Sequence, residues 1–236
     1  MKWKVLTLVF TAAVLTGVSA GTAQPSEYTP PAYEREYTSP EDVTPATRPP
    51  QFVATVLVER KVQALPASPL FWQMERFSGL EPAEEARGAY GLATTDAAGG
   101  TWLMTLGAAR TASPGALSST QVGPVAPFGA SEYLLRVTQV RGPRGATNSV
   151  QSHPGSVVVY VLAGELCVRT TAGQARLAAG QAAAVAGIGT TLQSSSCGSS
   201  ELLALVMSVT DASRPFSSPA RFPVPELPSH EPVDPR

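Results

Sequence analysis

Short runs of Val, Leu and Thr recur along the middle of the chain, each four to ten residues long and each broken by Gly, Pro or Ser. They predict strands over residues 53–62, 91–95, 101–107, 133–140, 157–162, 165–170, 174–178, 182–185, 191–195 and 202–210. Short, regularly spaced strands with turn signals between them are the mark of an all-β sandwich or barrel. One or two helical turns are expected over residues 82–87, with Glu84 and Glu85 at the end where a helix favours carboxylates. No internal repeat stands out. The folded portion is expected from Phe52 to Ala212, with residues 131–212 as a barrel and residues 52–130 as an N-terminal β extension or a decayed, partial second barrel.

Both ends of the chain break this pattern. Lys2 and Lys4 precede an apolar run of 14 residues, Val5 to Val18, followed by the small residues Val18-Ser19-Ala20 and Gly21-Thr22-Ala23. That is the three-part form of a secretory signal peptide over residues 1–20, with cleavage after Ala20 or as late as Ala23. The apolar run is shorter than the ~20 residues a membrane span needs, so no stable span is expected once the leader is cut; an uncleaved anchor is the alternative. Residues 21–51 carry prolines at 25, 30, 31, 40, 45, 49 and 50 and are expected as a disordered, extended spacer. The tail, residues 213–236, is also Pro-rich, although Phe216 and Phe222 are candidates to pin part of it to the body. The expected location is secreted or periplasmic.

Charge narrows the function classes. The formal net charge is −1, falling to −3 without Lys2 and Lys4, and only 15% of residues are charged. Nucleic-acid binding therefore lacks its basic footprint. A hydrophobic content of 43% is enough for one barrel-sized core. Phe71, Trp72, Phe77, Tyr90 and Trp102 lie in apolar segments and are expected in that core rather than on a ligand platform. The serines at 194–196 and 199–200 have no Gly-x-Ser-x-Gly elbow around them. Asp211 and Arg214 are candidates for a pair that fixes the exit of the last strand.

The stretch Ser152-His153-Pro154-Gly155-Ser156, then Val157 to Leu162, then Ala163-Gly164-Glu165-Leu166, resembles the first motif of the cupin family. Gly173, Gly180 and Gly189-Thr190-Thr191-Leu192-Gln193 resemble the second, more weakly. With Phe71-Trp72 and Gly123-Pro124, the layout is similar to that of bacterial cupin-domain proteins. The resemblance implies a jelly-roll barrel from Tyr133 to Val209, about a third of the chain. The fold class expected is thus all-β, a cupin-like jelly-roll barrel with additional N-terminal strands. In metal-bearing cupins two histidines, a glutamate and a later histidine converge on one ion. The corresponding places here hold Gln151, His153, Val157 and Leu192, or Thr191 if one residue is not inserted.

One donor in four is too few for ordinary zinc or non-haem iron sites. The only other histidine is His230, in the tail. A reduced set of Gln151, His153 and Glu165 is conceivable, but Glu165 follows the Gly turn and is expected to face solvent. The expectation is no metal and no other cofactor; a cation, if held at all, would sit on His153 with Gln151. His153 is either a general base at the barrel mouth or, as favoured here, an imidazole bonded to Gln151 or to backbone. In a jelly roll the strand after the first motif lies beside the strand of the second. Cys167 and Cys197 are therefore expected to form a disulfide, with two free thiols as the alternative.

These readings converge on a non-catalytic exported domain. It would bind a small, partly apolar molecule in a barrel mouth lined by Gln151, His153, Val157, Val159 and Leu192. One alternative is a metal-dependent dioxygenase or isomerase with a reduced ligand set. Another is a structural or interaction module of the cell envelope, dimerising through sheet edges.

Overall fold

The computed structural model describes residues 50–67 and 69–223. The leader over residues 1–20, the spacer as far as residue 49, and the tail beyond residue 223 with His230 lie outside the described residues. In chain order the elements are β1 (Val53–Val62), β2 (Leu70–Phe77), α1 (Leu80–Glu85), β3 (Gly91–Thr95), β4 (Thr101–Gly107), β5 (Ser118–Val125) and β6 (Tyr133–Gly142). There follow β7 (Gln151–Ser152), β8 (Gly155–Ala163), β9 (Glu165–Thr170), β10 (Gly173–Ala178), β11 (Ala182–Ala186), β12 (Leu192–Ser196), β13 (Leu202–Asp211) and β14 (Ser218–Pro219). Among these, no helix is long and apolar enough to cross a membrane.

The strands form three sheets in which the registered pairs are antiparallel. A central sheet runs β1-β6-β13-β8-β11 and a front sheet β10-β9-β12-β7-β14. Between them lies the barrel interior, made of Val157, Val159, Val161, Leu166, Val168, Leu177, Leu192, Leu202 and Ala204. A back sheet, β3-β4-β2-β5, covers the other face of the central sheet. Trp72, Met74, Leu92, Trp102, Met104 and Leu106 of the back sheet pack there on Leu135, Val137, Val158, Leu205, Met207 and Val209. Residues 52–130 thus supply one strand to the barrel's own sheet and one open sheet behind it.

The central sheet is buried on both faces, which explains its sequence. Successive side chains of a strand point to opposite faces. Along β8, Val157, Val159 and Val161 enter the barrel while Val158, Tyr160 and Leu162 meet the back sheet. A sheet covered on both sides reads as an unbroken apolar run. The front sheet has one wet face and alternates: Leu166 and Val168 point inward, whereas Arg169 is exposed. The expected aromatic core is present in part, with Trp72 fully buried and Trp102 set edge-on to Tyr160 at 5.5 Å.

Four strands fall where the hydrophobic pattern shows none: the two-residue β7 and β14, and the longer β2 and β5. Ser118–Val125 is an edge strand, exposed along most of its length, and so carries no apolar alternation. Leu70–Phe77 alternates, but its outward positions include the buried polar residues Gln73 and Glu75. Glu75 is fully buried and accepts from Arg110 Nη2 and Ser113 Oγ, both at 2.9 Å, which clamps the loop before β5. The helix starts two residues earlier than its predicted span, with Pro82 in its first turn, where a missing N–H is harmless.

Cys167 on β9 and Cys197 just after β12 stand at disulfide distance, with Cα atoms 5.8 Å apart and 30 residues between them in sequence. Closing a loop of this size stabilises a fold by about 3–4 kcal/mol through the unfolded state, in the chain-entropy view. Changing both cysteines to serine is expected to lower the thermal midpoint by roughly 6–12 °C, measured by calorimetry. No change in the midpoint on reduction would contradict this.

Candidate functional site

The barrel has two ends, and an aromatic side chain packs against the interior at one of them. At one end Phe52 lies so close over Gly142 that a Cβ there would meet its ring at 2.3 Å. At the other end the strand entering the barrel bends at Pro154-Gly155. Gly155 is required at this bend, since a Cβ would lie 2.0 Å from the carbonyl oxygen of Val209 on the neighbouring strand. The bend places β7, with Gln151 and then His153, across the opening. Gln151 is in register with Leu192 of β12.

Beneath this opening, register aligns Glu59, Arg136, Ser208 and Val157 in one row across the central sheet. Arg136 pairs with Glu59 at 2.8 Å. Its guanidinium also lies 4.7 Å from the ring centre of Phe216. Phe216 comes from the segment after β13. That segment turns at Asp211, whose carboxylate accepts from the Ser213 main-chain N–H at 2.9 Å and from its hydroxyl at 2.6 Å. These bonds hold the Asp211 carboxyl below its ordinary range, with a lesser contribution from the charge of Arg214. Ser213 fixes the turn, with the Arg214 main-chain N–H on the Asp211 carbonyl at 3.2 Å; no Asp211–Arg214 salt bridge forms among the described residues. The chain then crosses the opening, and Ser218 and Pro219 of β14 pair with Ser152 and Gln151.

His153 is 5% exposed and both of its ring nitrogens are engaged. Nδ1 lies 2.9 Å from the main-chain carbonyl oxygen of Phe216. A carbonyl only accepts, so the proton sits on Nδ1. Nε2 lies 3.3 Å from Gln151 Nε2, and the side-chain amide donates to its lone pair. The ring of Phe216 meets the imidazole edge-on, with centres 5.0 Å apart. Burial holds the His153 pKa below its ordinary 6.5, opposed by the bond to Phe216.

The sign of the pH dependence follows. When the folded state holds a histidine neutral, the unfolded chain binds the extra proton first as pH falls below its own value of ~6.5. Stability is then complete above that value and is lost on acidification, until the folded-state pKa is reached. Denaturant midpoints are expected to fall between pH 7.5 and 5.5. The His153→Gln variant is expected to show a shallower fall over the same range, and an identical slope in both proteins would contradict the assignment.

The arrangement does not fit a metal ion. A histidine ligand must offer a free lone pair, and a catalytic zinc ion ordinarily takes three protein donors. Here Nδ1 is protonated, Nε2 is capped by an amide, and the remaining two places are the buried apolar side chains of Val157 and Leu192. Glu165 lies off the barrel interior and pairs with Arg176. Among the described residues no three His, Cys, Asp or Glu side chains cluster in a way that could hold an ion.

The five residues predicted to line a mouth do come together at this end, but they are covered. Val157, Val159 and Leu192 are packed in the core, and Gln151 and His153 lie behind the crossing segment. Open space lies beside His153, in a cleft of about 250 Å³ bordered by Ser152, His153, Pro154, Ile188, Arg214 and Ser218. Sequence reasoning did not place Arg136, Ile188 or Arg214 in the site. Phe216 it singled out only as a pin, its one signal being an aromatic residue amid prolines.

No family model matches the chain, and no curated protein matches it. Solved structures do. A Thermus thermophilus protein is 31% identical over 33% of this chain and 73% of its own, with a TM-score of 0.30. KdgF from Halomonas sp. is 25% identical over 31% and 67%, with a TM-score of 0.28. A cupin-like protein from Thermotoga maritima is 18% identical over 36% and 64%, with a TM-score of 0.33. The matched part spans 64% of the first similar structure, a Streptococcus pyogenes protein of unknown function. The architecture itself is the cupin-like jelly roll that the motif implies, nearly all β, with two facing five-stranded sheets and one four-stranded sheet behind.

Proposed function

We propose that this chain is an exported, non-catalytic cupin-like module that binds a small molecule at the end of the barrel marked by His153. The observation that carries the reading is the state of that imidazole: its proton and its lone pair are both spent on the protein's own groups, so it is neither a cation ligand nor a poised base. The cleft beside it joins apolar surface from Pro154 and Ile188 to polar groups of Ser152, Ser218 and Arg214, a mixture suited to a small, partly apolar ligand. Export is supported by the leader pattern over residues 1–23 and by the cysteine pair, since disulfides persist outside the reducing cytosol.

Thermal-shift screening against a metabolite panel, with elemental analysis of the same sample, tests the reading. The expected result is a stabilising small molecule and no stoichiometric metal. Stoichiometric metal that disappears in His153→Ala would overturn it in favour of a metal-dependent enzyme. An empty panel would remove the binding role.

A further inference from the structure

Resting on that barrel-end reading, we infer that the site takes an aryl-alkanoate, a phenyl ring joined by two carbons to a carboxylate, and that Phe216 is a built-in stand-in for it on a displaceable strap. The residues between Asp211 and Ala220 form that strap. Phe216 makes three contacts with the site, one to Arg136 and two to His153. Its ring centre lies 4.7 Å from the Arg136 guanidinium, its ring and the His153 imidazole pack in a T shape with centres 5.0 Å apart, and its carbonyl oxygen accepts the Nδ1 proton at 2.9 Å. From ring to acceptor the path is Cβ, Cα and carbonyl carbon, which is the skeleton of 3-phenylpropionate.

A free carboxylate would keep the acceptor role at Nδ1 and add a charge. A hydrogen bond to a charged acceptor is stronger than one to a neutral carbonyl, so the free acid has an advantage at this point. The ring keeps its cation–π contact with Arg136.

The strap is lightly held. Pro215 and Pro219 have no N–H to donate. The strand pairing that anchors it is only two residues long, Ser218 with Ser152 and Pro219 with Gln151, followed by the Ala220 amide on the Val150 carbonyl at 3.0 Å. Arg214, Pro215, Ser218 and Pro219 are all exposed, leaving Phe216 as the strap's large apolar anchor. Segments with few buried apolar contacts and exposed backbone bonds open most readily.

Calorimetric titration of the full chain with 3-phenylpropionate tests the proposal. Wild type is expected to bind weakly, because the strap must first be displaced. Phe216→Ala is expected to bind at least tenfold tighter, and Phe216→Ala combined with Arg136→Met to lose that gain. 3-Cyclohexylpropionate, without a π face, is expected to bind Phe216→Ala several-fold more weakly than the phenyl acid.

Should Phe216→Ala fail to fold, amide exchange in the wild type carries the test. Saturating 3-phenylpropionate is expected to speed exchange at Ala220 while leaving β13 protected. Equal affinity in wild type and Phe216→Ala, or slower exchange at Ala220, overturns the strap. If another panel molecule perturbs His153 while 3-phenylpropionate does not bind either protein, the ligand class falls and the barrel-end site stands. If nothing binds either protein, both fall.

Discussion

Replacing Val157 by glutamate is expected to lower folding stability by about 3–5 kcal/mol at neutral pH, read from denaturant midpoints. The side chain is 4% exposed and sits among Val159, Val161, Leu166 and Leu192, with Ser208 beside it in the row across the sheet. An ionised carboxylate placed there gains no cation, because the nearest one in the row, Arg136, is already paired with Glu59. Burial raises the pKa of the introduced carboxyl. Its penalty is therefore absent near and below the unfolded value of ~4.3 and grows as pH rises toward the folded-state pKa. The difference from wild type is expected to shrink between pH 7 and pH 4.5. Undiminished stability at pH 7 would show that the position is not enclosed by apolar neighbours.

A metal-binding protein is the expected product of the triple substitution Gln151→His, Val157→Glu and Leu192→His. It removes the amide that caps His153 Nε2 and adds three new donors at the positions that accompany it in the motif. The Nδ1 bond to Phe216 then serves as the outer support that orients a ligating imidazole. Without metal the triple variant is expected to be markedly less stable than wild type. With zinc at about a thousand times its dissociation constant, about 4 kcal/mol is recovered. Wild type under the same zinc concentration is expected to show no change in midpoint. A triple variant that takes up no metal would mean that positions 151, 153, 157 and 192 do not share one interior point.

Much of this site was legible because β-strand geometry is periodic. Positions 151 and 153, then 157 and 159 after the Gly turn, fall on one face by alternation alone; the register of Leu192 against Gln151 is something only the structure gives. The unbroken run Val157 to Leu162 signalled a strand but not why it is unbroken; the reason is the back sheet, whose strand β5 is too polar to be seen and whose β2 hides Glu75 and Gln73 among its apolar residues. The covering of the barrel end was not legible. A segment of Ser, Pro and Arg has no period, and nothing local to Phe216 says that its ring will seat against Arg136, 80 residues earlier in the chain. Glu165 shows the opposite case, a carboxylate near the motif in sequence that points away from it, as the turn at Gly164 requires.

The state of the His153 ring is the point on which the functional reading rests, and long-range proton–nitrogen correlation spectra report it directly. Collected at pH 7.5 and assigned with the His153→Gln variant, the spectrum is expected to show a neutral imidazole protonated at Nδ1, with an Nε2 signal that neither shifts nor broadens when zinc or manganese is added. A ring protonated at Nε2, a charged ring, or an Nε2 resonance that moves or disappears with the metal would contradict it.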